Sequence, residues 1–280
     1  MRQRTWLVVM ALAVPLPAVA APDVVGIKVG VASVSEVRDL LGQEARKLAV
    51  SEQRSDLHGR SKGPHLSGKD AKDDPVPDDQ YVSSMRAVTG VFRDRAPDCN
   101  VTNIGLLEKG DCETITVDFS GPPGEGIVLA ARRVVLFAKP PSVENTEHAL
   151  VEKYGPPGYR PSPPSGPMLR EYYWAWDTSG KPVPLNAEHP CAKPGASVLA
   201  INLHQREEDT RAALRAACAA MVYVTMTVDG GTVKYVRVQA IDKAQVFGMM
   251  QKTRDFLADM VVDEKRAKRD KAVEAGTPQF

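Results

Sequence analysis

The turn sequence Asp229-Gly230-Gly231-Thr232 is the feature that most constrains what this chain can fold into. It lies between two runs rich in β-branched and other apolar residues, 221–228 and 232–241. Paired glycines adopt the positive φ angles that a tight hairpin turn needs, so we expect the two runs to pair as antiparallel strands. Because both faces of these runs carry apolar residues, the sequence leaves their register open.

A long amphipathic helix is predicted directly after this hairpin. Asp242 and Gln245 fit a capping box at its start. We expect one helix face to pack on the hairpin, and the charged segment 263–274 to extend into solvent or fray. The side chains of that face recur at the spacing i, i+3, i+4, i+7 and are Val246, Met249, Met250, Thr253, Phe256, Leu257, Met260 and Val261.

Another hairpin is predicted over residues 113–137. Ile115, Val117 and Phe119 alternate along its first strand, and the glycine- and proline-rich stretch 121–126 turns the chain. The glycines of this turn do not have the spacing G-x-G-x-x-G, and no helix follows at once. A nucleotide-binding loop is therefore excluded here.

Two short helices are predicted from their end signals. Ser33 and Glu36 fit a capping box, and Gly42 is placed to end that helix. Ser142 is a good N-cap for the other helix, which Gly155 and the two following prolines should end. With the two hairpins, these helices indicate a mixed α and β architecture.

Residues 51–80 contain almost no apolar side chains and many Ser, Gly, Asp, Lys and Pro. Such a segment buries too little apolar surface to offset the entropy of ordering it, so we expect a mobile loop. His58 and His65 lie within it, and we interpret both as solvated rather than as metal ligands.

The proline-rich segment 156–167 divides the chain and is interpreted as a connector. We expect one subdomain over 21–155 and a second over 168–280. The predicted fold class is α+β: two small subdomains, each with short helices packed on an antiparallel sheet, plus the long C-terminal amphipathic helix.

Residues 1–20 have the pattern of a secretory signal peptide. Arg2 and Arg4 precede an apolar run, 6–17, and Ala18-Val19-Ala20 is a cleavage signal. Cleavage removes two of the 36 basic residues and none of the 35 acidic ones, so the mature chain has a formal charge of −1. We therefore expect a periplasmic or secreted protein with no nucleic-acid partner and no transmembrane segment in the mature chain. An uncleaved anchor is the weaker interpretation.

An even number of cysteines in an exported chain favours disulfides. The four cysteines allow three pairings, and we expect Cys99–Cys112 and Cys191–Cys218 because sequence neighbours close the smaller loops. Free buried thiols are the alternative. Zinc is disfavoured, because there is no C-x-x-C motif and His189 lies too near Cys191.

The first short helix resembles a known family signature. The run from Gly30-Val31 through Glu36-Val37 to Leu40-Leu41-Gly42 is similar to the pattern G-M-T-x-x-E-V-x-x-L-L-G. That pattern is typical of the outer-membrane small protein A lipoproteins and the related β-lactamase-inhibitor-protein-like fold. The chain differs by one inserted residue, by Val31 in place of Met, and by the absence of a lipid-bearing cysteine.

This resemblance implies helices on one face of an antiparallel sheet and, as in the inhibitor protein, one local disulfide in each of two repeated halves. It also implies a binding module rather than an enzyme. No functional residues carry over, since the shared positions cap or pack the helix.

Tyr172, Trp174 and Trp176 alternate along a predicted strand. If their face is exposed, this aromatic ladder is a candidate binding site for a sugar or peptide. The alternative is that these side chains belong to the core, as aromatic residues at strand spacing often do.

The sequence contains no G-x-S-x-G, H-E-x-x-H, S-x-x-K or P-loop motif, and no cofactor is expected. The function we expect is therefore that of an exported, non-catalytic protein. It would bind an unidentified protein partner or envelope component, as an inhibitor, immunity or assembly factor. The alternative is an envelope hydrolase whose site is assembled from distant carboxylates and a histidine such as His148 or His204.

Overall fold

The fold is known from a computed structural model, in which the described residues form ten strands and three main helices. The residues it describes are 22–44, 49–56, 61–67, 76, 80–92, 99, 107–124, 126–161, 168–192, 211–212 and 215–274. The helices are α1 (Val34–Glu44), α2 (Val143–Tyr154) and α3 (Lys243–Glu274). The strands are β1 (Asp23–Val24), β2 (Ile27–Lys28), β3 (Ala49–Asp56), β4 (Ser61–Ser67), β5 (Gln80–Phe92), β6 (Leu107–Phe119), β7 (Val128–Leu136), β8 (Leu169–Trp176), β9 (Ala220–Asp229) and β10 (Thr232–Asp242).

Eight of these strands form one antiparallel sheet in the order β4-β3-β5-β6-β7-β10-β9-β8. The α+β class is confirmed. Separate sheets for the two predicted subdomains are not seen, because β7 pairs with β10 from Tyr235↔Leu136 to Ile241↔Ala130. The two halves therefore share one sheet, and the connector 156–167 does not separate two cores.

Both predicted hairpins are confirmed. β6 pairs with β7, and β9 pairs with β10 through a turn in which Gly230 and Gly231 have φ angles of 55° and 79°. A β-branched or other L residue would be strained in that region, which explains why glycine occupies both positions.

One face of the sheet, the helix face, carries the main hydrophobic core. The small β1–β2 hairpin, α1 and α2 contribute to that core, with Val24, Val37 and Leu150 among its buried members. Val117 and Val135 contribute from the middle strands. The helices α1 and α2 thus pack on the same face of the antiparallel sheet.

The prediction of a mobile loop over 51–80 is wrong for the parts that the structure describes. Residues 49–56 and 61–67 form β3 and β4, and β3 pairs with β5 from Ala49↔Val88 to Asp56↔Gln80. Glu52 is only 1% exposed and accepts a hydrogen bond from Arg38 Nε at 2.5 Å. Backbone pairing and a buried ion pair supply the order that apolar side chains do not.

The helix starts follow the sequence signals. Glu36 Oε2 accepts from the Ser33 backbone N–H at 2.7 Å, and Ser33 Oγ accepts from the Glu36 N–H at 3.3 Å. These hydrogen bonds lower the pKa of Glu36. Ser142 Oγ caps α2 by accepting from the Asn145 N–H at 3.1 Å. Gly42, however, does not end α1, which continues to Glu44.

α3 packs on the sheet through its first turns only. Asp242 Oδ1 accepts from the Gln245 N–H at 2.7 Å, Met249 is buried, and Thr253 Oγ1 donates to Pro122 O at 3.0 Å. Val261 is already 44% exposed, and the side chains of 263–271 are all exposed. The predicted extension into solvent is confirmed.

None of the helices in the described residues is long and apolar enough to cross a membrane.

The structure brings the four cysteines together in the two predicted pairs. Cys99 bonds to Cys112 with a Cα–Cα distance of 5.5 Å, and Cys191 bonds to Cys218 with a Cα–Cα distance of 6.6 Å. Both distances lie within the normal range for a disulfide. The pairing is consistent with an oxidising, extracytoplasmic location.

Candidate functional site

The second face of the sheet, which we call the polar face, is the candidate site. Six residues, one on each of six neighbouring strands, are register partners and form a row across this face. They are Arg86, Thr116, Arg132, Gln239, Tyr223 and Tyr173. The next row on the same face contains Thr114, Val134, Arg237, Thr225 and Glu171. The middle of this face therefore differs from the apolar helix face.

Three arginines are concentrated in these two rows. Arg86 and Arg132 lie on β5 and β7 with only Thr116 of β6 between them, so their backbones are about 10 Å apart. Arg132 pairs with Gln239, which makes Arg237 its diagonal neighbour. Long side chains from these positions can reach a common point.

The charges of these arginines act on one another. Burial lowers the pKa of Arg132, and the positive charge of Arg237 lowers it further, while Asp118 acts in the opposite direction. Burial also lowers the pKa of Arg86, with a further contribution from Arg132. The guanidinium group of Arg132 therefore experiences repulsion from Arg237, and that of Arg86 experiences repulsion from Arg132.

The polar face has hydrogen-bonding capacity that the described residues do not use. Arg132 Nη2 reaches Thr116 Oγ1 at 3.5 Å, but the buried Nε of Arg132 has no hydrogen-bond partner. Gln239, its register partner, is only 6% exposed. Buried polar groups are nearly always paired in native proteins, so Arg132 Nε is a candidate contact for a ligand.

Arg237 is held in place by an aromatic neighbour. Its Nε donates to Tyr235 Oη at 3.0 Å, and its guanidinium lies 5.8 Å from the centre of the same ring. Tyr235 is buried beside the Cys99–Cys112 disulfide. These contacts orient the Arg237 side chain, and no carboxylate of the described residues forms an ion pair with it.

The β8 end of the polar face is closed by stacked tyrosines. Tyr223 donates a hydrogen bond to Glu171, and the rings of Tyr173 and Tyr223 lie 4.7 Å apart. Burial raises the pKa of both phenols, so they stay neutral at physiological pH. Tyr159 packs against Tyr173 with ring centres 5.9 Å apart. This end of the face is a packed aromatic cluster.

The predicted aromatic ladder is not a free surface. Tyr172 and Trp174 are each 3% exposed on the helix face, and Trp176 is partly buried against the same core. Tyr172 donates to Glu147 of α2, and Trp174 Nε1 donates to Gly155 O at 2.9 Å. The interpretation of an exposed ladder is wrong because α2 and its C-terminal turn pack over this side of β8.

The structure brings one histidine to a pair of cysteines. Potential ligand atoms of His189, Cys191 and Cys218 lie within 4.8 Å of one another. Because the two sulfurs form a disulfide, the thiolates that would bind zinc are not available. His148 is exposed on α2, and His204 lies outside the described residues. The side chains of His58 and His65 also lie outside the described part.

A cavity of about 340 Å³ lies on the helix face between α2 and the sheet, lined mainly by core side chains such as Leu150 and Val236. The charged residues at its rim are paired. Arg133 bonds Glu113 at 2.6 Å, and Lys153 bonds Asp23 at 2.8 Å. Because Arg133 and Lys153 already form ion pairs, the charged groups of this cavity are a weaker candidate for contacts with a ligand than those of the polar face.

Comparisons with protein-family models, curated proteins and solved structures give no match. The resemblance of the 30–42 segment to the small protein A and inhibitor-like signature therefore stays a prediction.

Arg86, Arg132 and Arg237 were not predicted from the sequence as site residues. A signal was present, because Arg237 and Gln239 alternate with apolar residues in the run 236–240. This alternation predicts one polar strand face. The sequence could not show that the polar positions of β5, β7 and β10 would lie side by side.

Proposed function

We propose that this chain is an exported, non-catalytic protein that binds a protein partner or envelope component through the polar face of its sheet. The observation that carries the proposal is the buried Arg132 Nε at its centre, which has no hydrogen-bond partner among the described residues. A ligand that accepts a hydrogen bond from this group removes the cost of burying it.

Three further observations support the proposal. The sequence has the pattern of a signal peptide at 1–20, and the two cysteine pairs fit an oxidising compartment. The charge of the polar face is local, since the chain as a whole is nearly neutral. A local excess of positive charge on a neutral protein favours a specific acidic ligand over general attraction to polyanions.

Neighbouring arginines on opposite faces provide the test. Arg132 lies on the polar face, and Arg133 lies on the helix face, where it pairs with Glu113. Wild type, Arg132→Ala and Arg133→Ala would each be immobilised and used to capture material from an envelope extract for mass spectrometry. We expect Arg132→Ala to lose the component that wild type captures and Arg133→Ala to retain it.

Melting temperatures and circular dichroism would verify that both variants are folded. Equal capture by the two variants would contradict a role for the polar face. Hydrolysis of an envelope component by the wild-type protein, lost on changing His148 or His204, would support the hydrolase alternative instead.

A further inference from the structure

We propose that the cavity between α2 and the sheet binds a medium-chain fatty acid, with the alkyl chain against its apolar walls and the carboxylate toward Arg133 and Lys153. The cavity lies on the helix face, on the other side of the sheet from the polar face, so this site is separate from the proposed function. The inference depends on the walls of the cavity, on its volume and on the sign of the charges that line it.

The walls of the cavity are mainly apolar. Val236 and Val238 contribute from β10, Leu150 from α2 and Val24 from β1, and Phe137 follows directly after β7. Binding sites for small molecules are typically lined in this way, by apolar and aromatic side chains with a few polar groups. Transfer of an alkyl chain from water to such walls is favourable.

Polar side chains of the walls already have hydrogen bonds within the protein. Tyr154 Oη donates to Asp23 O at 2.9 Å, and Thr146 Oγ1 donates to Ser142 O at 2.9 Å. A ligand rich in hydroxyl groups, such as a sugar, would find few partners here, whereas an alkyl chain needs none. The chemistry of the walls therefore favours a hydrocarbon.

The volume of the cavity, about 340 Å³, indicates the length of the chain. An apolar cavity of about 150 Å³ holds one benzene molecule. The cavity of this protein is roughly twice as large, and octanoate or decanoate has roughly twice as many non-hydrogen atoms as benzene. A chain of this length fits the available space.

The charges that line the cavity favour a carboxylate as the head group. Arg133 and Lys153 line it, whereas their ion-pair partners Glu113 and Asp23 do not. The side chains of Arg133 and Lys153 are 41% and 39% exposed. The bond from Arg133 to Glu113 uses Nε and not the two Nη groups, which are further donors of a guanidinium.

The two ion pairs stay formed when the ligand binds. Partly exposed ion pairs contribute little free energy, and the same holds for a carboxylate that approaches them from water. The alkyl chain therefore supplies most of the affinity, and the two cations set the direction in which the chain enters.

Isothermal titration calorimetry of the full chain at about pH 7.5 with hexanoate, octanoate and decanoate tests the walls. We expect saturable binding whose affinity rises by up to about fourfold for each added methylene, because each one buries more apolar surface. An affinity that does not rise from hexanoate to octanoate would overturn the proposal.

Two adjacent positions on α2 provide a matched pair of variants. Ala149 and His148 are both exposed, but only Ala149 lines the cavity. Ala149→Phe places a ring in the space of the alkyl chain and should weaken octanoate binding by at least about tenfold, the effect of removing about two methylenes. His148→Phe adds the same ring outside the cavity and should bind as wild type does.

Circular dichroism and melting temperatures would verify that these variants are folded. Asn145, which is also exposed and lines the cavity, offers Asn145→Phe as a second blocking variant if Ala149→Phe is unstable. Octanoate binding that is unchanged in a folded blocking variant would overturn the cavity as the site.

Octylammonium and octanol test the head group. Octanoate should bind about two- to fivefold more tightly than octylammonium, and Lys153→Met, which keeps an apolar stem, should reduce this preference without changing the affinity for octanol. Octylammonium that binds as tightly as octanoate would overturn the assignment of a carboxylate.

Arg132→Ala separates this inference from the proposed function. It lies on the other face of the sheet, so it should leave octanoate binding unchanged, and a loss of octanoate binding in the folded variant would overturn the cavity as the site. If capture of an envelope component depends on Arg132 but octanoate does not bind, the proposed function stands and the fatty-acid site fails. If octanoate binds as expected but capture does not depend on Arg132, the reverse holds.

Discussion

Burial decides the role of individual aromatic side chains on β8. Trp174 is 3% exposed, packs in the main core and donates to Gly155 O, whereas Trp176 on the same face is partly exposed. The two residues have the same type and the same strand face, so their difference comes from position alone. Truncating a side chain at the centre of a packed layer lowers the free energy of unfolding more than truncating one at the edge of the layer.

Replacement of Trp174 by Ala is therefore expected to lower the free energy of unfolding by about 3–5 kcal/mol. Trp176→Ala should cost clearly less, and Val261→Ala, on an exposed turn of α3, should change stability by less than about 0.5 kcal/mol. Urea unfolding monitored by circular dichroism gives all three values. A neutral effect of Trp174→Ala would contradict its place in the core.

At the level of elements, α3 combines a docked start with a solvent-exposed end. Its cap at Asp242, the buried Met249 and the contact from Thr253 to Pro122 join the first turns to the sheet. Beyond Val261 the described side chains are exposed up to 271, so helix propensity and local pairs maintain this part. The stability of the domain should therefore depend on the first part only.

Removal of residues 263–280 is expected to leave the melting temperature within about 2 °C of wild type, because the described residues there bury no core side chain. Met249→Ala should lower the free energy of unfolding by about 2–5 kcal/mol. Differential scanning calorimetry of the truncated chain and of the Met249→Ala variant measures both effects. A large loss on truncation would mean that the end of the helix contacts the rest of the molecule.

At the level of the whole molecule, one sheet joins both halves of the chain. β7 from the first half and β10 from the second half share seven register pairs, from Tyr235↔Leu136 to Ile241↔Ala130. The main core also contains residues of both halves, for example Val37 and Trp174. Neither half can unfold without exposing the interior of the other.

We therefore expect a single cooperative unfolding transition, with calorimetric and van't Hoff enthalpies that agree. Cleavage within the connector 156–167 should not release two stable halves. Two separate transitions, or a stable isolated fragment 168–280, would instead support the two-subdomain organisation predicted from the sequence.

The sequence by itself determined the features that depend on neighbours along the chain. These are the caps at Ser33, Ser142 and Asp242, the turn at Gly230-Gly231 and the pairing of cysteines 13 and 27 residues apart. Each uses hydrogen bonds, backbone angles or short loops formed within one segment, so its signal is local.

Only the tertiary structure decided which segments meet across the fold. Order in 49–56 comes from pairing with β5 and from the Arg38–Glu52 contact, which polar composition does not reveal. The three arginines of the polar face come from strands that lie apart in the sequence, and β-strand register sets their spacing. Strand pairing between distant segments depends on the whole core, and a shift of one residue would turn every one of these side chains to the other face.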